Sequence, residues 1–331
     1  MHPSLLDILR CPESGAPLRL ENARTRPNGM VVSGDLVSDF GRRYPIIRGV
    51  PRFVEKENYA ASFGYEWRRW PRVQFESENV GRPMAGHTTG MWEKCTASED
   101  RDLKGRTLVE FGCGSGRFLD VIRRKGARAV GVEVTAAADP ARANFPDDPD
   151  VLIVQADIFR PPFRPGAFDG GYCIGVLHHT PDPAAGVKCL AECVKPGGWV
   201  AVSVYGRGGF YAYPSVARMR RLSQRLKPFA GYWPALAYAW FSGYLLSPAF
   251  AAGKRVHPLK HWLDVAEQGR LPCLDLPDAR WRVLDIFDAI TPAIASTHTG
   301  DEVRAWMEQA GCSGVRRTAW GETSLVGARA T

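Results

Sequence analysis

The chain has 331 residues, 45% of them hydrophobic and 24% charged, which excludes intrinsic disorder and a disulfide scaffold and leaves room for one large domain with a smaller companion. Its 43 Lys and Arg against 35 Asp and Glu give a net +8, a balance that suits nucleic acid, an anionic membrane surface or an acidic substrate according to where the charge sits. Eight cysteines without paired spacing, and a start (MHPSLLDILRCPESG) that lacks the pattern of a secretory leader, predict a reducing, cytoplasmic setting.

Taken in chain order, residues 1–56 read as a small unit: an apolar helical start at Leu5, Leu6 and Leu9, a turn at Pro12 to Pro17, strand-like runs at Met30 to Val32 and Tyr44 to Ile47, and Pro51 as its close. Residues 57–105 form a connector dense in aromatics and arginine, predicted helical around Phe63 to Trp70. From Arg106 strands and helices alternate. Strands are expected at 107–111, 129–134, 151–156, 170–176 and 199–204, with helices at 117–125 and 184–194. That spacing predicts an α/β fold with a doubly wound, mostly parallel sheet over 106–204. A long insertion follows at 205–299, and residues 300–331 supply a last helix (301–310) and two strands (315–319, 323–327). Within the insertion, residues 228–253 carry no charge, a length that would span a bilayer, but Pro234, Pro248, Gly231 and Gly243 interrupt it. Two short buried or interfacial helices are therefore expected there.

The first strand of the α/β region runs into Glu110-Phe111-Gly112-Cys113-Gly114-Ser115-Gly116 and then a helix. Glycines suit a tight turn that a ligand approaches closely. A dinucleotide site would place its third glycine at position 117, where Arg117 stands. Glu133 ends the next strand, Asp157 the third with Ile158 beside it, Asp169 opens the fourth, and Lys195-Pro196-Gly197-Gly198 precedes the fifth. In this order and spacing the features resemble class I S-adenosylmethionine-dependent methyltransferases, with a seven-stranded sheet. The resemblance implies S-adenosylmethionine as cofactor. It implies that Glu110, Gly112, Cys113, Gly114 and Gly116 hold its methionine end, that Glu133 and Val134 meet the ribose, that Asp157 and Ile158 meet the adenine, and that Cys173 lies nearby.

After the fourth strand stands Leu177-His178-His179-Thr180-Pro181-Asp182-Pro183. The Asn/Asp-Pro-Pro-Tyr/Phe tetrapeptide of base and glutamine methyltransferases is absent there. The segment instead resembles the small-molecule methyltransferases of the quinone-biosynthesis type. His178 and His179 are the catalytic candidates, since neutral imidazole titrates near working pH. On this reading His178 contacts substrate and His179 orders the turn. Methyl transfer itself is an in-line displacement that asks the protein mainly for alignment, with a base for a hydroxyl nucleophile. Trp67, Tyr205, Tyr211, Tyr213 and His298 are substrate candidates from position, with Phe63 and Tyr65 as further wall candidates. His257 with His261, and Cys189 with Cys193, are four apart without further ligands nearby, so no metal site is expected.

The stretches LLDILRCPESGAPLRL and GRRYPIIRGVPRFV resemble the zinc-ribbon activator of tRNA and translation-factor methyltransferases, found as a subunit or as a fused N-terminal module. Cys11 remains, but Ser14 replaces its partner and Val37 to Phe40 holds no cysteine. The resemblance thus implies a zinc-ribbon-like unit without its zinc ligands, docked on the catalytic domain or supporting a homodimer. It also implies that SFGYEWRRW is a cofactor lid.

The +8 belongs to residues 205–265, where Arg207, Arg218, Arg220, Arg221, Arg225, Lys227, Lys254, Arg255 and Lys260 face Asp264 alone. This points to a lid for an anionic or amphiphilic small-molecule, natural-product or sugar-bearing acceptor methylated at oxygen or nitrogen, with peripheral membrane contact through 205–265. Nucleic acid is disfavoured as a partner. The rival readings are an RNA or translation-factor methyltransferase and a non-catalytic cofactor-binding regulator.

Overall fold

The computed structural model describes residues 1–54 and 60–331. The boundary expected between 56 and 57 lies outside the described residues. A helical turn at Pro3–Ile8 leads into a four-stranded antiparallel sheet of β1 (Leu18–Thr25), β2 (Val31–Ser38), β3 (Arg43–Ile47) and β4 (Val50–Pro51). The strand β1 was not expected from LRLENART, because its polar outer half removes the apolar alternation that marks a strand. The alternate residues Tyr44 and Ile46 of β3 are buried, and the Cys11 thiol lies 3.1 Å from the Tyr44 hydroxyl.

Connector helices α1 (Ala61–Arg69) and α2 (His87–Thr96) come next. The sequence gives α2 little helical signal, since HTTGMWEKCT carries Gly and three threonines; packing forms it, with Trp92 fully buried edge-on to Tyr172.

The large sheet has the order β10-β11-β9-β8-β5-β6-β7. Its parallel part is β5 (Thr107–Phe111), β6 (Arg128–Glu133), β7 (Val151–Gln155), β8 (Phe168–Ile174) and β9 (Val194–Ser203). Two strands run antiparallel at the other edge, β10 (Cys312–Thr318) and β11 (Gly321–Arg329). The helices α3 (Arg117–Arg124), α4 (Ala138–Ala143), α5 (Pro183–Cys193) and α11 (Gly300–Gln309) belong to this layer system. Their starts carry the usual chemistry. Asp182 caps α5 ahead of Pro183, and Thr299 with Glu302 forms a capping box on α11. The seven-stranded, mostly parallel sheet agrees with the expected α/β class.

The small sheet covers the edge strand β7. Phe53 N–H donates to the Gln155 carbonyl at 2.8 Å, and the Arg52 guanidinium bonds Gln155 (2.7 Å) and Asp139 (2.6 Å). An open sheet edge is thereby closed. Leu5, Leu9 and Leu18 share one apolar core with Phe163 and Phe168 of the large domain.

The insertion folds as α6 (Pro214–Ala230), α7 (Trp233–Phe241), a π turn at Ser242–Leu246, α8 (Ser247–Gly253), α9 (His257–Gly269) and α10 (Ala279–Ile290). Residues 228–253 hold the end of α6 and then, where two separate helices were expected, one unbroken helical run of α7, the π turn and α8, with Pro234 in the first turn of α7 and Pro248 just after the π turn. No helix among the described residues is long and apolar enough to cross a membrane. The apolar face of α10 (Val283, Leu284, Phe287, Ile290) packs with Leu236 and Ala239 of α7 and Val216 of α6.

Candidate active site

The glycine loop sits between β5 and α3 with Gly112, Gly114 and Gly116 all at positive φ (74°, 52° and 90°). Side chains are excluded there. A Cβ on Gly112 would lie 2.5 Å from Val176, and one on Gly114 would lie 2.7 Å from the Trp67 indole nitrogen. The loop is tied to the end of β6 through Glu133, whose carboxylate accepts from Gly114 N–H (3.0 Å), Thr135 N–H (2.8 Å) and the Thr135 hydroxyl (2.7 Å). Burial raises its pKa while these donors oppose the shift. Three bonds leave acceptor capacity on the carboxylate.

Above the loop lies a cavity of about 380 Å³. Of the predicted cofactor residues Glu110, Gly112, Cys113, Gly114, Glu133, Val134 and Ile158 line it, and Gly116 closes the turn behind them. Two others do not line it. Asp157 uses Oδ1 to accept from Phe159 N–H at 3.0 Å and orders its own turn. The Cys173 thiol donates to the Phe111 carbonyl at 3.2 Å, locking β8 to β5. Asp169 has a structural task as well, bridging Lys195 at 2.7 Å and accepting from Thr107 N–H at 2.8 Å.

The histidines sit on a helical turn, Leu177–His179, beyond β8, and it is His179, expected to order the turn, that reaches the cavity. His178 is fully buried outside the cavity wall; its Nδ1 accepts from Tyr205 N–H (3.2 Å) and its ring stacks on Tyr205 at 3.5 Å. His179 lines the cavity. Its Nδ1 lies 2.8 Å from the Ile294 carbonyl, which can only accept, so Nδ1 carries the proton and the neutral ring presents a lone pair at Nε2. That nitrogen is buried and has no hydrogen-bond partner. Burial holds His179 below the usual imidazole range and His178 well below it.

Among the substrate candidates, Trp67, Tyr205 and Tyr211 are in the wall, as is Phe63. Tyr205 and Tyr211 stack at 3.6 Å, and the Tyr205 hydroxyl donates to Asp288 at 2.8 Å. Tyr65, Tyr213 and His298 are placed elsewhere. Tyr65 packs on Tyr232 and Phe287, Tyr213 on Phe210, and His298 on Trp306 with Ser296 at 2.8 Å. None of the nine basic residues of 205–265 lines the cavity; Arg220, for instance, is spent on the Ala289 carbonyl. The wall holds Glu66, Glu110, Glu133, Asp285 and Asp288 against Arg117, so its charge opposes the anionic acceptor expected from net charge.

The sequence reading missed Glu66, Gln74, Arg117, Trp281, Asp285 and Asp288 in the wall. Two of them left a signal. Asp285 and Asp288, three apart, interrupt the apolar run of ARWRVLDIFDAI, and carboxylates in such a run belong to a site more often than to a core.

A family model described as "Methyltransferase domain" matches residues 93–316, more than half of the chain. The chain belongs to the methyltransferase domain family. S-adenosylmethionine is the cofactor that membership implies, and the residues fit it: three left-handed glycines leave the loop bare, Glu133 keeps an acceptor site, and Ile158 and Val134 give apolar wall. This methyltransferase domain is similar to the ubiquinone biosynthesis O-methyltransferases of Paracidovorax citrulli (35% identical over 109 residues, 32% of this chain and 46% of the relative) and Thiobacillus denitrificans (34% over 109 residues, 32% and 47%). The chain spans just under half the length of these curated relatives. Among solved structures it is similar to a complex between the Haloferax volcanii Trm112 methyltransferase activator and a methyltransferase (16% identity, TM-score 0.45, 81% of this chain and 98% of that one). It is also similar to an S-adenosylmethionine-dependent methyltransferase from Mesorhizobium loti (23% identity, TM-score 0.33, 41% and 59%).

Proposed function

We propose that the protein is an S-adenosylmethionine-dependent methyltransferase acting on oxygen or nitrogen of a small, amphiphilic metabolite. The observation that carries the reading is one cavity whose wall includes the glycine loop, Glu133 and His179. The cofactor supplies a methyl group already activated on sulfonium. The chain's own residues do the rest. The glycine loop and Glu133 fix the donor end, while Phe63 and Trp67 of α1 cover it and exclude water. Nε2 of His179 accepts the proton that leaves the acceptor hydroxyl or amine, and the Ile294 carbonyl holds the ring in the tautomer that can do so. The curated relatives act in ubiquinone biosynthesis as O-methyltransferases, which supports a small-molecule acceptor.

The amphiphilic element of the proposal rests on the outer surface of the insertion. Phe229 (89% exposed), Trp233 (73%) and Trp262 (71%) stand out there beside the exposed cations Arg225, Arg255 and Lys260. Such a surface suits the headgroup region of an anionic bilayer, from which an amphiphilic acceptor would be taken.

The test is incubation with methyl-labelled S-adenosylmethionine and a fractionated lysate. Label is expected in the low-molecular-weight or lipid extract. Label confined to RNA or to protein overturns the proposal, as does failure to bind S-adenosylhomocysteine.

A further inference from the structure

The part of the cavity wall built by α1 and α10 is rich in acids: Asp285 accepts from the Gln74 amide and Asp288 from the Tyr205 hydroxyl, while Glu66 has no donor at all. Glu66, on α1, is 1% exposed, and neither of its carboxylate oxygens has a hydrogen-bond partner. Gln74, 4% exposed, donates its amide to Asp285 at 3.4 Å and leaves its carbonyl oxygen unpartnered. With Nε2 of His179, every unpartnered buried side-chain atom recorded in the cavity wall is an acceptor. An ionised carboxylate is favoured at such a position only when a donor or a cation meets it.

The charges agree. Asp285 and Asp288 are near enough to Glu66 to push its protonation further in the direction that burial already drives it, and Asp285 is pushed up to about 7. Arg117 is set against all three and also answers Glu110, and Arg220 answers Asp288. A metal ion is the wrong occupant, because among the described residues no three His, Cys, Asp or Glu side chains converge on a metal-sized point. The carboxylates are instead spread around a space also walled by the rings of Trp281 and Tyr211, which favours an organic cation that can meet both acids and π faces.

Resting on the methyltransferase reading above, we propose that the acceptor carries a protonated amine or guanidinium, seated by Glu66, Asp285 and Asp288 with the Gln74 carbonyl as a further acceptor. The reacting atom is held apart from this group at His179. The donor end of the cavity has its own carboxylates, Glu110 and Glu133, so the acids on α1 and α10 are assigned to the acceptor.

Charge separation of the labelled products of the lysate reaction tests this directly. The methylated small-molecule product is expected to be retained on a cation exchanger at pH 7. A labelled small molecule that appears only in the flow-through or on an anion exchanger overturns the inference while leaving the methyltransferase reading intact; no label in any fraction overturns both. With the retained fraction as substrate, Glu66→Gln is expected to raise KM more than tenfold and to leave S-adenosylhomocysteine affinity within twofold of wild type. Equal loss of S-adenosylhomocysteine affinity would assign these acids to the cofactor and defeat the inference. The variant is expected to melt no lower than wild type, since the amide is nearly the same shape as the carboxyl it replaces and breaks no hydrogen bond, so folding does not confound the comparison.

Discussion

His178 and His179 are adjacent in sequence, yet the turn at Leu177–His179 points them to different tasks. His179→Ala removes the proton acceptor and is expected to lower kcat by about 10²–10⁴ for a hydroxyl acceptor, with S-adenosylhomocysteine affinity unchanged by calorimetry. His178→Ala instead leaves Tyr205 N–H unpaired and strips a stacked ring, so it should cost about 1–3 kcal/mol of stability by denaturant unfolding. Comparable kcat losses with unaltered stability in both would contradict this division. The pH profile follows from burial. Because burial disfavours imidazolium at His179, the active neutral form persists to lower pH, and the acid limb of kcat/KM is expected to fall below the 6.5 of free imidazole. A limb centred above 7 would mean another group is titrating.

At the scale of elements, the glycine loop and α1 form one device. Gly114 is left-handed and lies under the Trp67 indole, so Gly114→Ala both strains the backbone, by about 1–2 kcal/mol, and pushes α1 outward. The expected result is a tenfold or greater loss of S-adenosylhomocysteine affinity with a modest fall in melting temperature; unchanged affinity would show that α1 does not cover the donor. This pairing also marks where sequence stops being informative. The strands β5 to β7 were legible because each is an apolar run, and β5 (107–111) was expected residue for residue, whereas β8 begins two residues before the expected 170 and β9 takes in Lys195 to Gly198, which were expected as the turn ahead of it. The loop, Glu133 and the two tyrosines of the wall could be named for the same reason, since they lie at strand ends or just beyond them. Glu66 could not, because its place in the cavity depends on α1 docking across α10, through Tyr65 and Trp70 on Phe287. Such long-range contacts leave no local period. Asp157 shows a different limit, since a strand-end acid can also order its own turn, as its Oδ1 does by accepting from Phe159 N–H.

At the scale of the molecule, charge is segregated: acid lines the cavity, while the nine cations of 205–265 lie outside it. Net charge suggested an anionic or amphiphilic acceptor, but it does not tell an inner surface from an outer one, and the cations of 205–265 are not in the cavity wall. The insertion also exposes Phe229, Trp233, Trp240, Phe241, Leu245 and Trp262, more apolar surface than a soluble face usually leaves unpaired. An anionic bilayer satisfies both features. Basic side chains near such a surface contribute about 1 kcal/mol each, and tryptophan rings settle at the headgroup level. Sedimentation with vesicles of phosphatidylcholine containing 30% phosphatidylserine, a fraction chosen at roughly the level of an anionic leaflet, is therefore expected to carry the protein down. Pure phosphatidylcholine should carry down much less. Raising the salt shortens the Debye length to about 3 Å at 1 M and should release the electrostatic part, leaving a residue of binding that Trp233→Ala with Trp262→Ala removes. Binding that ignores lipid charge, or that survives loss of both tryptophans, would mean that this face serves some other contact and that the acceptor reaches the cavity from water.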